Sequence, residues 1–93
     1  PELIQKIVRT NFGKFRKCFE NGLRTSPNLQ GRITVKFVIG LDGRVASAAD
    51  EKSDYVDAAV ITCVVDEFRT LHFPKPEDGS VTVVYPITFT PSD

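Results

Sequence analysis

The segment Gly31-Arg32-Ile33-Thr34-Val35-Lys36-Phe37-Val38-Ile39-Gly40-Leu41-Asp42-Gly43 decides the fold. Its first part alternates. Ile33, Val35, Phe37 and Ile39 point one way, and Arg32, Thr34 and Lys36 point the other. That pattern predicts a strand over residues 32–39 with one buried face. Gly40-Leu41-Asp42-Gly43 then reads as a hairpin turn, because Asp-Gly tolerates positive φ. A second strand of small residues returns from about Arg44 to Ala49.

Upstream, residues 2–25 read as one helix. Ile4, Ile7, Val8, Phe12, Phe15, Cys18, Phe19 and Leu23 recur at helical spacing. Lys6, Arg9, Arg16, Lys17 and Arg24 fall on the opposite face. Gly13 weakens the middle, and Ser26-Pro27-Asn28 ends the helix. Downstream, Ser53 or Asp54 is expected to cap a second helix from about Tyr55 to Leu71. Val56, Ala59, Val60, Cys63, Val64 and Phe68 form its apolar face, and Pro74 and Pro76 stop it. After the turn at Asp78-Gly79, Val81, Val83, Tyr85, Ile87 and Phe89 alternate along a third strand. Pro91 and Asp93 close the chain.

The order α-β-β-α-β constrains the sheet. The first two strands are antiparallel, and the second helix carries the chain back. Strand three therefore lies beside strand one in an antiparallel sheet of order 2-1-3, with both helices on one face and a right-handed crossover. This is an α+β fold in one domain, residues 1–93. Strand three is then an edge. Pro86 agrees, since proline gives the ladder no N–H and is largely confined to edges. The remainder of that edge, with Val83, Val84 and Ile87, is long and apolar. Either Pro86 blunts it, or a partner adds a strand there.

The net charge is zero. It is unevenly placed: residues 1–36 are net +6 and residues 37–93 net −6. The basic part could hold an acidic partner. With no charged tail, the reading adopted is that the two surfaces face one another within the fold. No apolar run is long enough to span a membrane. The chain starts at Pro1 without Met, as expected of a piece of a longer protein.

Cys18 and Cys63 each sit at an apolar position of a helix. A disulfide between them would contribute roughly 4 kcal/mol by loop entropy. Two free buried cysteines are the other reading. Catalytic chemistry is thinly supplied. His72 is the one histidine, too few for an ordinary Cys/His metal site. An enzyme using Cys63 with His72 is conceivable, but thiols on apolar faces are inert. Asp66 and Glu67, adjacent on a helix, do not face each other. No phosphate-binding glycine loop occurs. For nucleic acid, the exposed sheet face offers Arg32 and Lys36 with Thr34, Thr82, Val84 and Thr88, and no aromatic platform.

The first hairpin, from Gly31 to Ile39 with Asp42-Gly43-Arg44-Val45, resembles that of TonB C-terminal domains. More specifically, the chain resembles the AgmX/PglI C-terminal domain of myxobacterial gliding-motility proteins. The residues that carry this are Cys18-Phe19-Glu20, Pro27, Gly31, Cys63, Phe73-Pro74-Lys75-Pro76 and Val83-Val84-Tyr85-Pro86-Ile87-Thr88-Phe89.

The resemblance implies a periplasmic domain in a protein anchored in the inner membrane, reaching an outer-membrane or periplasmic protein partner. Together with the residue chemistry above, the expectation is no enzyme, cofactor, metal, nucleic acid or small-molecule substrate. It also favours the Cys18–Cys63 disulfide. Carried onto this chain, the contact is the edge formed by Val81, Val83, Val84, Tyr85, Pro86, Ile87, Thr88 and Phe89. Pro86 departs from a full ladder, so the contact is expected to be shorter, or to use the basic helix face instead. Two alternatives accompany this reading: a self-pairing dimerisation domain, and a TonB-type transducer for outer-membrane substrate uptake.

Overall fold

The central strand β1 (Gly31–Ile39) buries every second side chain: Ile33, Val35, Phe37 and Ile39 are inaccessible or nearly so. Around it the computed structural model, which describes residues 2–54 and 57–90, arranges α1 (Glu2–Thr10), α2 (Phe12–Leu23), β2 (Val45–Asp50), α3 (Ala58–Phe68) and β3 (Val81–Phe89). The sheet order is β2-β1-β3 with both pairings antiparallel, as the topology argument requires. Gly40 N–H donates to Arg44 C=O and Gly43 N–H to Gly40 C=O, closing the hairpin turn. The register shifts by one residue between Val38 and Ile39, a β-bulge beside that turn.

The expected single helix is two. Asn11 sits at φ −96°, ψ 7°, and its side-chain Nδ2 donates to the Ile7 carbonyl at 2.8 Å. Asparagine side chains compete with the backbone for such carbonyls, which disfavours continuation of the helix. The break lets Phe12 stack on Phe89, with centroids 5.9 Å apart, and Phe15 stack on Phe68 at 4.5 Å. Phe37 packs against Phe68 and Phe73, so aromatic rings carry the core from the helices to the sheet.

The second expected helix ends at Phe68, short of the expected Leu71. Asp57 is its cap, accepting from Ala59 N–H at 2.9 Å and Val60 N–H at 3.1 Å. Ser53 and Asp54, the expected caps, extend the sheet instead. Ser53 Oγ accepts from Thr34 N–H, and Asp54 N–H donates to Arg32 C=O. Ala59, expected on the apolar face, is exposed. The expected start at Tyr55, the apolar position Val56, and the closing residues Pro91 and Asp93 lie outside the described residues.

Cys18 of α2 and Cys63 of α3 form a disulfide, with Cα atoms 5.7 Å apart. The two helices are thereby joined over the same sheet face. Among the described residues no helix is long and apolar enough to cross a membrane.

The charge halves do not neutralise one another as expected. Among the described residues, Arg32–Asp54 is the one ion pair joining the basic and acidic parts. Arg16–Glu20 and Arg69–Asp66 are local helix pairs. Lys6, Arg9, Lys14, Lys17 and Arg24 remain exposed on or beside α1 and α2.

Candidate partner-binding edge

A three-stranded sheet has two edges, and this protein treats them differently. The β2 edge is covered. Ala48 lies opposite Phe37 in a pair whose Ala48 backbone groups face outward, and the Arg69 guanidinium fills that place with a 2.8 Å hydrogen bond to the Ala48 carbonyl. Just before the start of β2, Arg44 forms a β-bridge with His72 and the Phe73 N–H donates to Gly43 C=O at 2.8 Å. Gly43, at φ +84°, permits this approach, because a Cβ there would overlap the Phe73 carbonyl oxygen.

The β3 edge carries no such cover. Its hydrogen-bond phase follows from β1. Arg32 C=O and Thr34 C=O accept from Asp54 and Glu51, and Thr34 N–H donates to Ser53, so the even-numbered residues of β1 face β2. Arg32, Thr34, Lys36 and Val38 lie opposite Thr88, Pro86, Val84 and Thr82. In an antiparallel ladder those four β3 residues then turn their backbone groups outward. The open edge offers four carbonyls and three N–H groups. The missing donor is at Pro86, whose nitrogen would otherwise face a neighbouring strand.

The side chains sort the expected contact residues. Ile87 and Phe89 are buried, and their backbone groups face β1; they belong to the core. Val83 and Tyr85 are half-buried on the helix-facing side. Val81 is 38% exposed and Val84 54%, with Pro86 and Thr88 exposed beside them. Cover by the helices therefore thins from Phe89 towards Val81.

A groove follows from this thinning. Helix α1 runs alongside β3 in the same direction. Ile4 and Gln5 line a cavity of about 600 Å³ with Val81 to Pro86, and Val8, Arg9 and Phe12 line its continuation of about 210 Å³ with Tyr85 to Thr88. Sequence reasoning placed Ile4, Val8 and Phe12 on a core-facing stripe and did not foresee that part of the stripe would wall a groove. Gln5, Arg9 and Thr82 were also outside the expected contact set. The strict alternation of β3 could have pointed to Thr82, since it shares the phase of Val84 and Thr88.

Elsewhere, Cys63 is bonded to Cys18, which removes the thiol that a Cys63–His72 nucleophile requires. His72 is exposed. Among the described residues no group of three or more His, Cys, Asp or Glu side chains is placed to hold a metal ion.

No family model matches the chain. A segment of 86 residues, 92% of this chain, is 28% identical to tyrosine-protein kinase MasK of Myxococcus xanthus (strain DK1622). The match spans 13% of that protein's length. Among solved structures, the NMR solution structure of the Helicobacter pylori TonB C-terminal domain (residues 179–285) is similar at TM-score 0.54 and 22% identity, over 85% of this chain and 78% of that one. The shorter form of that domain (residues 194–285) matches at the same TM-score and 24% identity, over 76% and 77% of the two chains. The chain has the fold of a TonB C-terminal domain.

Proposed function

We propose that this chain is a periplasmic protein-interaction module of a longer, inner-membrane-anchored TonB-like protein. It links an energised machine in that membrane to an outer-membrane or periplasmic partner, in gliding motility, and carries no enzymatic chemistry of its own. The observation that carries the proposal is the asymmetry of the sheet. One edge is sealed by Arg69, His72 and Phe73, and the other is left open beside an apolar groove. Exposed apolar edges invite aggregation and are ordinarily blunted. An open edge beside a groove suits a partner that adds a strand, with the backbone supplying affinity and alternate side chains supplying selectivity. The likeness to TonB C-terminal domains supports the interaction role, and the relative in Myxococcus xanthus supports the resemblance to myxobacterial proteins.

Photo-crosslinking in the native host tests this reading. One variant carries a photoreactive residue at Thr88 and a second at Arg16, with captured proteins identified by mass spectrometry. An envelope protein captured from Thr88 is the expected result. Capture only from Arg16 moves the contact to the basic helix face and discards strand addition.

A self-pairing edge is the second reading, favoured by the exposure of Val84 at the middle of the open strand. Sedimentation at high micromolar concentration decides it: a monomer there ends the dimer reading.

A further inference from the structure

We propose that Cys63 is a thiol-exchange site: a small thiol entering the cleft between α2 and α3 attacks its sulfur while the domain remains folded. The inference is independent of strand addition at β3.

The disulfide is presented unequally. Cys18 is 3% exposed, whereas Cys63 is half-buried. Both line a cleft of about 290 Å³ between the two helices, with Asn21, Thr25, Asp57 and Ala59 in its walls. Ala59 lies four residues before Cys63 on α3, and helical side chains at that spacing are neighbours. Its methyl group is exposed and short, so it leaves the Cys63 side of the bond open to the cleft. Disulfides that solvent thiols can reach are the labile ones, and the sulfur that is reached decides the direction of attack.

The incoming thiolate forms a bond to Cys63 Sγ as the bond from Cys63 to Cys18 breaks. Cys18 leaves as a thiolate and takes up the proton that the incoming thiol released. A dithiol then uses its second thiol to attack the sulfur it has attached. It becomes a disulfide itself and releases Cys63 as a thiol, so two electrons and two protons pass from the dithiol to the protein. A monothiol stops at the mixed disulfide on Cys63. The buried Cys18 thiol can expel it again, which makes the attachment reversible.

Breaking the bond does not release α2 from the core. Phe15 stacks on Phe68 at 4.5 Å and Phe19 on Phe89 at 5.0 Å. Gly22 presses on α3, where an added Cβ would lie 2.5 Å from Val60 Cγ2. These contacts hold both helices over the sheet during exchange.

The test is reduction of the full chain by dithiothreitol without denaturant, quenched with acid and followed by mass spectrometry. The expected rate is proportional to dithiothreitol and unchanged by sub-denaturing urea. A rate that rises with urea as unfolding does would place the exchange in the opened chain and overturn the inference. Short pulses of glutathione, with the freed thiol trapped by N-ethylmaleimide, locate the first bond formed. Glutathione is expected on Cys63 about tenfold more often than on Cys18. An equal distribution, or a preference for Cys18, overturns the inference. Ala59→Leu places a larger side chain beside Cys63 and should slow reduction about tenfold, with the urea midpoint of the oxidised protein unchanged. An unslowed rate at an unchanged midpoint overturns the cleft as the route of attack.

Discussion

Arg69, at the C-terminal cap of α3, donates to the carbonyl of Ala48 at 2.8 Å, so a helix-end side chain occupies the place a fourth strand would take beside β2. Arg69→Ala should remove this plug. About half of the Arg69 side chain is exposed, so the expected loss is about 1 kcal/mol, read from urea unfolding. The variant should also associate at lower protein concentration, because a second edge is bared.

Pro86 removes one outward donor from the otherwise open β3 edge. Pro86→Thr restores the missing outward donor without altering the faces of β3. The expected outcome is stronger self-association in sedimentation velocity, with stability little changed. A variant as monomeric as the parent would show that Pro86 does not limit pairing at this edge.

The disulfide is expected to dominate the stability of so small a domain. Cys18 and Cys63 are 45 residues apart in sequence, and cross-linking a loop of that size is worth roughly 4 kcal/mol in the chain-entropy account. Urea unfolding with and without reductant should differ by about 3–4 kcal/mol. A paired Cys18→Ala, Cys63→Ala variant should behave as the reduced protein does.

Two glycines with positive φ separate backbone strain from crowding. At Gly79, φ +106°, a Cβ would meet open space. Gly79→Ala should cost only the conformational term, about 1 kcal/mol. At Gly43 a Cβ would also strike the backbone of Phe73. Gly43→Ala should cost more than about 2 kcal/mol, and should loosen the 71–73 segment from the sheet in hydrogen exchange at Phe73 N–H.

Asp57→Ala removes the carboxylate oxygen that accepts from both Ala59 N–H and Val60 N–H at the start of α3 and should destabilise by about 1 kcal/mol. Ser53→Ala should leave the helix start unchanged, because Ser53 bonds to Thr34 and Asp50 rather than to α3. Far-ultraviolet circular dichroism and thermal unfolding distinguish the two.

The parts of the fold legible in the sequence were those fixed by side-chain period. The alternation of Ile33, Val35, Phe37 and Ile39 set the buried face of β1, and element order placed β3 at the edge. The break at Asn11 was not legible, since the apolar period runs through it unchanged and only a side-chain hydrogen bond to Ile7 marks it. The cap of α3 was misplaced because Ser53, Asp54 and Asp57 are all good capping residues, and tertiary pairing with Thr34 and Arg32 engaged the first two. Half of the candidate site was visible as the β3 edge. Its other wall was not, because the lean of α1 over β3 depends on where Phe12 finds Phe89.

The bond between Cys18 and Cys63 also fixes how a pull would travel through the domain. Tension entering on the N-terminal side of Cys18 and leaving beyond Cys63 passes through the sulfur bridge and bypasses the chain between them. The β1–β2 hairpin lies wholly within that sheltered span, whereas β3 and α1 lie outside it. Under load, β3 could be stripped from β1, but the hairpin against which it must re-form would not be drawn out.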